Sequence, residues 1–305
     1  MYETKRSNWF VRNAKYKYVY LMLVPVFLYY LVFHYGPMYG ALIAFKDFKI
    51  FLGFAKSPWV GFKHFEAFFN SYYFWRLFRN TISINLLDLI FHFPAPIVLA
   101  LLMNELVGHR FKRIVQSITY MPHFISVVVV AGLILNFCQS DGLLNAILGL
   151  VGIKAQPFLT DPRYFQPVYV ASAIWQEVGW GSIIYLASLM SVDPQLYEQA
   201  TVDGANRFHQ LIHITLPGIA PTIIIMLILR LGRMMTVGFE KVLLLYNPMI
   251  YETADVISTF VYRQGLLLQD FSYASAVYLF NSVINFTLVV LANQISRKVS
   301  ETSLW

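Results

Sequence analysis

The 305-residue chain is 58% hydrophobic and only 13% charged, with a mean hydropathy of +0.57. A soluble domain carries about 25% charge, so this composition excludes a chain covered by water on all sides. The formal charge of +7 fits basic flanks beside anionic lipid better than nucleic acid, and the single cysteine, Cys138, excludes an internal disulfide and a Cys-based metal site.

Residues 1–17 are polar and basic (Lys5, Arg6, Arg12, Lys15, Lys17) and read as a cytoplasmic tail. An apolar run over 18–35 follows, with no small-residue cleavage site after it, and reads as a retained first span ended by Gly36-Pro37. Residues 36–79 are too charged to cross a bilayer and read as a partly helical outer loop. A second span is expected over 81–103, kinked at Pro94 and Pro96, and a third over 114–137 with a bend at Pro122. Between them Arg110, Lys112 and Arg113 mark a cytoplasmic loop. Spans over 167–190, 219–243 and 274–295 complete a set of six, each near the ~20 residues that cross ~30 Å of hydrocarbon. The expected fold is therefore an all-α integral membrane protein, one transmembrane domain over 18–298. A short cytoplasmic tail, 299–305, follows Arg297-Lys298, so both termini lie inside. Lys46, Lys49, Lys56, Lys63, Arg76 and Arg79 in the first outer loop run against the charge rule. The dense basic flanks outweigh them because they fall together on one side.

Residues 193–217 form a polar island between the fourth and fifth spans. Asp193 can cap a helix whose first residue is Pro194, where a missing N–H is harmless. That helix can run to Val202. Asp203-Gly204 then reads as a turn, and a second short helix to Ile214 is stopped by Pro217. Glu198-x-Ala200-x-x-Asp203-Gly204-Ala205 and Ile214-x-Leu216-Pro217 resemble the EAA loop of ATP-binding-cassette importer permeases, with Gln199 in place of the usual Ala. Further stretches, among them 36–48, 59–62, 237–248 and 251–255, are similar to the carbohydrate subgroup that includes alginate-importer permeases, so the likeness covers nearly the whole chain.

What the resemblance implies is a cytoplasmic coupling helix-turn-helix whose contacts include Leu196, Tyr197, Glu198, Ala200, Asp203, Gly204 and Ala205. It docks on a separate ATPase that holds ATP and Mg. An extracellular solute-binding protein delivers an oligo- or polysaccharide, and a second homologous permease completes a heterodimer in a bacterial plasma membrane. No Walker A loop or His-Glu-x-x-His is present, so no ATPase or metalloprotease chemistry is expected of this chain, nor any resident cofactor or metal. His209 and His213 have i, i+4 spacing but read as solvated. Alternatives are a permease for a non-sugar solute, a membrane-embedded glycosyltransferase-type enzyme, or a secondary transporter. The enzyme would need clustered carboxylates, whereas the acidic residues of the outer loops are dispersed. The secondary transporter would need paired broken spans.

Trp175, Trp180 and Tyr185 offer faces on which sugars stack, and are candidates for the substrate path. Glu177, Arg230 and Arg233 fall at one depth, roughly 20 Å from the inner ends of their spans at ~1.5 Å per residue. Ionised groups there pair or line a wet path, so Glu177 is expected to pair with one arginine and leave the other facing the translocation cavity or the partner permease. Topology is checked by labelling: tags at Met1 and Trp305 are expected to react only from the cytoplasm, and one beside Asp161 only from outside. Labelling that places Glu198 outside rejects the arrangement.

Overall fold

A computed structural model describes residues 16–300, the side chains of 299 and 300 excepted; most of the tails expected over 1–17 and 299–305 lies outside the described residues. Among the described residues there is no strand, only one isolated bridge between Lys46 and Trp59. The long elements are α1 (Lys17–Phe45), α2 (Phe74–Asn104), α3 (His109–Phe124) and α4 (Val127–Phe137). They continue with α5 (Pro162–Leu189), α6 (Pro194–Val202), α7 (Arg207–Leu231), α8 (Phe239–Leu245) and α9 (Phe271–Ser300). Four of them, α1, α2, α7 and α9, are long and apolar enough to cross a membrane, and a fifth span arises if the bent pair α3–α4 counts as one. The 28-residue α5 is long enough but more polar. It packs against α2, α3 and α7, and a helix with that much protein contact needs no continuous apolar surface.

The bend expected at Pro122 is present, but two prolines expected to end helices, Pro37 and Pro217, do not end them. The first span does not end at Gly36-Pro37 but continues to Phe45, and Pro217 does not end a helix but lies inside α7. A five-residue π turn precedes each break-prone site: Leu31–Tyr35 before Pro37, Asp88–His92 before Pro94, Leu211–Thr215 before Pro217. A proline ring cannot donate a backbone bond and crowds the carbonyl four residues back. The wider π turn gives that carbonyl room, so the helix passes through. At Pro122 the departure is larger. The chain leaves the helical region at Ile125, and α4 restarts from a Ser126 cap at 98° to α3. The expected fifth span, 219–243, is also interrupted: α7 stops at Leu231 and α8 is a separate helix.

Three clusters hold the bundle. Ile84, Val130, Ala131, Tyr169 and Val242 join α2, α4, α5 and α8. Phe68, Leu77, Met235, Phe260 and Val277 fix the loop helices to α2 and α9. Ala100, Met103, Tyr185, Leu189 and Ile219 join α2, α5 and α7 near the 193–206 connection. α5 and α3 approach so closely that a Cβ at Gly179 would stand 2.0 Å from the Thr119 carbonyl oxygen. By contrast no residue of Lys17–Tyr30 is buried, and only the end of α1 lies against α9. Asp161 caps α5 from the loop before it. Hydrogen bonds from the Arg163 side chain and N–H hold its carboxyl below the usual carboxylate range.

One buried charge cluster ties the loop before α9 to α2. Asp255, fully buried, accepts two bonds from Arg263 (2.8 and 2.7 Å), one from Arg76 of α2 (3.0 Å) and one from Thr259 (3.0 Å). The guanidinium groups lie over the rings of Tyr73 and Tyr251. Removing one member of such a cluster strands the others. Asp255→Ala is expected to destabilise the detergent-solubilised protein by about 3–5 kcal/mol, read from thermal unfolding. An unchanged midpoint rejects the assignment.

Candidate functional site

The polar knuckle is built almost entirely by local chemistry. Asp193 caps α6, accepting from the Gln195 N–H at 2.9 Å, with Pro194 in the first position. At the other end the Gly204 N–H donates to Thr201 O (3.1 Å) and the Ala205 N–H to Ala200 O (2.8 Å). This paired closure is the Schellman motif, which needs a left-handed residue just past the helix; Gly204 has φ +77°. The spacing Ala200-x-x-Asp203-Gly204-Ala205 is therefore the acceptor, the C-cap residue, the left-handed glycine and the final donor. Asn206 then caps α7, accepting from the His209 N–H at 2.9 Å.

Nothing in α6 is buried. Leu196, Glu198 and Asp203 are exposed, and Tyr197, Ala200 and Ala205 half-buried. Val202 and Phe208, 88% and 66% exposed, add apolar surface to this polar segment. The Tyr197 hydroxyl meets Thr215 Oγ1 at 3.0 Å and so fastens α6 to the π turn of α7. Arg207 pairs with Glu105 at 2.6 Å. A cleft of about 820 Å³ lies behind the knuckle, lined by Asn104, Tyr197, Thr201 and Gln210 among others. His209 and His213 stack at 6.0 Å and are exposed, and among the described residues no group of three metal-ligating side chains forms.

A second polar region lies deep in the bundle, with partners that differ from the expectation. Glu177 pairs with His123, whose Nδ1 is 2.8 Å away, and not with an arginine. Arg230 pairs with Asp88 of α2, and Asp88 also meets His92 Nδ1 at 2.9 Å. Depth along a helix fixes height but not direction, and Arg230 faces α2 while Glu177 faces α3. Arg233 makes no ion pair among the described residues. Arg230 and Arg233 line one cavity of about 350 Å³ with Asp88, His92, Gly181 and Tyr185.

The aromatic candidates separate. Tyr185 is 3% exposed and packs with Ala100 and Ile219. Trp180, 45% exposed, stacks on His123 at 4.5 Å with the planes 1° apart. Trp175 is exposed and lies outside the cavity lining. Sequence reasoning missed Asp88, His92, His123 and Lys241. Asp88 was detectable as a lone carboxylate in an apolar run. Lys241 is buried, with its Nζ over the Tyr169 ring at 5.4 Å and no hydrogen-bond partner.

Residues 93–301 match the family described as binding-protein-dependent transport system inner membrane component. The chain is 44% identical over 302 residues to Protein LplB of Bacillus subtilis, covering 99% of this chain and 95% of that protein. It is 43% identical to the polygalacturonan/rhamnogalacturonan transport system permease protein YteP of the same organism, covering 99% and 94%. It superposes with a TM-score of 0.90 at 43% identity on a chain of a bacterial ABC transporter involved in import of the acidic polysaccharide alginate, over 96% of this chain and 100% of that one. A second structure, of the alginate transporter with a pentasaccharide-bound periplasmic protein, gives 0.91 at 42% identity, over 98% and 100%.

The Asp88–Arg230 pair is open to a double-mutant cycle. Asp88→Ala and Arg230→Ala are each expected to lower the yield of folded protein by stranding a charge, while the double variant recovers part of the loss, with a coupling of roughly 0.5–3 kcal/mol. Strictly additive losses in thermal unfolding reject the pairing.

Proposed function

The chain belongs to the family of inner membrane components of binding-protein-dependent transport systems, and we propose on that premise that α6 is the coupling helix through which a separate ATPase drives it. It is a permease of a carbohydrate ATP-binding-cassette importer. The observation that carries this is the near-complete superposition on alginate-importer chains at 43% identity, alongside a close relative named as a polygalacturonan/rhamnogalacturonan permease. The cargo is an oligo- or polysaccharide handed over by an extracellular solute-binding protein, as the periplasmic protein in the second alginate structure suggests.

In this reading six spans form the subunit: α1, α2, the bent α3–α4, α5, α7 continued by α8, and α9. Both termini are cytoplasmic, in a bacterial plasma membrane. A second homologous permease completes the pathway, and two ATPase subunits hold ATP and Mg. This chain then contributes no hydrolytic residue. The exposed surface of α6, with Leu196, Glu198 and the flanking Val202 and Phe208, is the part offered to the ATPase. ATP-driven closure moves α6, Tyr197 transmits the motion to α7 through Thr215, and the cavity changes the side from which it is reached.

Gly204 tests the coupling role. A Cβ there would meet nothing within 4 Å, so a substitution acts through the backbone and not through crowding. A left-handed backbone costs an ordinary residue roughly 1–2 kcal/mol, while Asn visits it more readily. In proteoliposomes with the complete importer, Gly204→Val is expected to abolish ATP-driven saccharide uptake with normal membrane levels, and Gly204→Asn to retain most of it. Near-normal uptake by Gly204→Val rejects the coupling role.

A further inference from the structure

The span expected over 219–243 is broken by residues 232–238, which the proposed six-span arrangement, with Ile219 at its inner end, puts at membrane depth. The break starts about 12 residues above Ile219, hence roughly 20 Å at 1.5 Å per residue, within the ~30 Å hydrocarbon layer. Non-helical backbone at such depth is tolerated only where protein buries it or where it borders a wet cavity. Both conditions occur here. Met235 and Val237 are buried. Arg233, Thr236 and Gly238 are exposed, and Arg233 lines the 350 Å³ cavity, a volume within the range of small-ligand sites.

The charges of that cavity do not cancel. Asp88 is committed to Arg230 and His92. Arg233 is left with no carboxylate partner among the described residues, yet an ionised group at this depth is costly unless it is paired or wetted. Phe93, Pro96 and Gly181 supply mostly apolar wall around it. A guanidinium fork matches a carboxylate with two parallel hydrogen bonds, geometry that hydroxyl groups cannot fill with the same charge assistance. A ring with apolar C–H faces and one carboxylate is a uronic-acid unit.

We propose that Arg233, at the break between α7 and α8, binds the carboxylate of a uronic-acid unit in passing saccharide and makes this permease prefer acidic over neutral cargo. Arg230 does not share the role, because Asp88 occupies it. This rests on the carbohydrate-importer reading above and adds a cargo class and the residue that selects it.

The test uses the complete importer in proteoliposomes with four probes: tetragalacturonate, tetramannuronate and the methyl ester of each. The same binding protein delivers all of them to wild type and variant, so its own preference cancels when acid-to-ester uptake ratios are compared. Arg233→Gln is expected to lower that ratio about tenfold or more, with unchanged co-purification of the ATPase, and Arg233→Lys to lower it less. An unchanged ratio in Arg233→Gln overturns the proposal. So does a parallel loss of acid and ester uptake with failed assembly, which would place Arg233 against the partner permease. Wild-type uptake confined to neutral saccharides overturns it while leaving the importer assignment standing. Uptake of no saccharide at all overturns the assignment, and this inference with it.

Discussion

Inside hydrocarbon no water is available to satisfy a backbone group that leaves its helix, and each such group left bare costs several kcal/mol. The two large helix breaks in this chain are both caught by side chains from other helices. At the α3–α4 corner the Ile125 carbonyl accepts from Gln176 of α5 at 3.2 Å. Between α7 and α8 the Met235 N–H donates to Asn285 of α9 at 2.8 Å, and the Gly238 N–H to the Tyr169 hydroxyl of α5 at 3.0 Å. The polar character of α5 follows from this duty. A helix carrying Tyr169 and Gln176 to mend its neighbours cannot also present a uniformly apolar surface to lipid, and its central position means that it need not.

Charge obeys the same rule with larger stakes. A lone ion in a low-dielectric interior is expensive, and pairing repays the cost only when other hydrogen bonds complete the site. Asp255 meets that condition with two arginines and Thr259, and stitches a loop helix to α2. Asp88 meets it with Arg230 and His92, and joins α2 to α7. Lys241 does not, since its buried Nζ lies over the face of Tyr169 without a hydrogen-bond partner. The helices around the break are thus held by ion pairs that fix position, next to Arg233, which makes no ion pair among the described residues.

The knuckle was legible because it is local. Asp193, Pro194 and Gly204 act within four residues of their partners, so spacing alone specifies cap, start and closure. Helix ends at prolines were misjudged for the opposite reason. Whether Pro37 or Pro217 stops a helix depends on a π turn upstream, and on neighbours that favour continuity, neither of which the proline itself encodes. Counting residues placed Glu177, Arg230 and Arg233 at one depth, but the choice of His123 or Asp88 as partner depends on which way each helix is rotated. That rotation is set by distant contacts such as Gly179 against Thr119, which no window of sequence contains.

The two candidate regions lie at opposite ends of one element. α7 is 25 residues long, roughly 37 Å at 1.5 Å per residue. Its first turn follows the knuckle, and its last turn carries Arg230 beside the break. A continuous helix transmits displacement along its axis with little loss, whereas a chain interrupted at Pro217 would have absorbed it. The π turn at Leu211–Thr215 keeps that continuity past the proline, and it is where Tyr197 of α6 is fastened. The far end, by contrast, has no continuous helical ladder: 232–238 closes on turn bonds such as the Thr236 N–H to Arg233 O and on side-chain bonds with Asn285 and Tyr169. Under the proposed coupling role, a push at α6 would therefore arrive at the Asp88–Arg230 pair and at the break beyond it, where Arg233 borders the cavity.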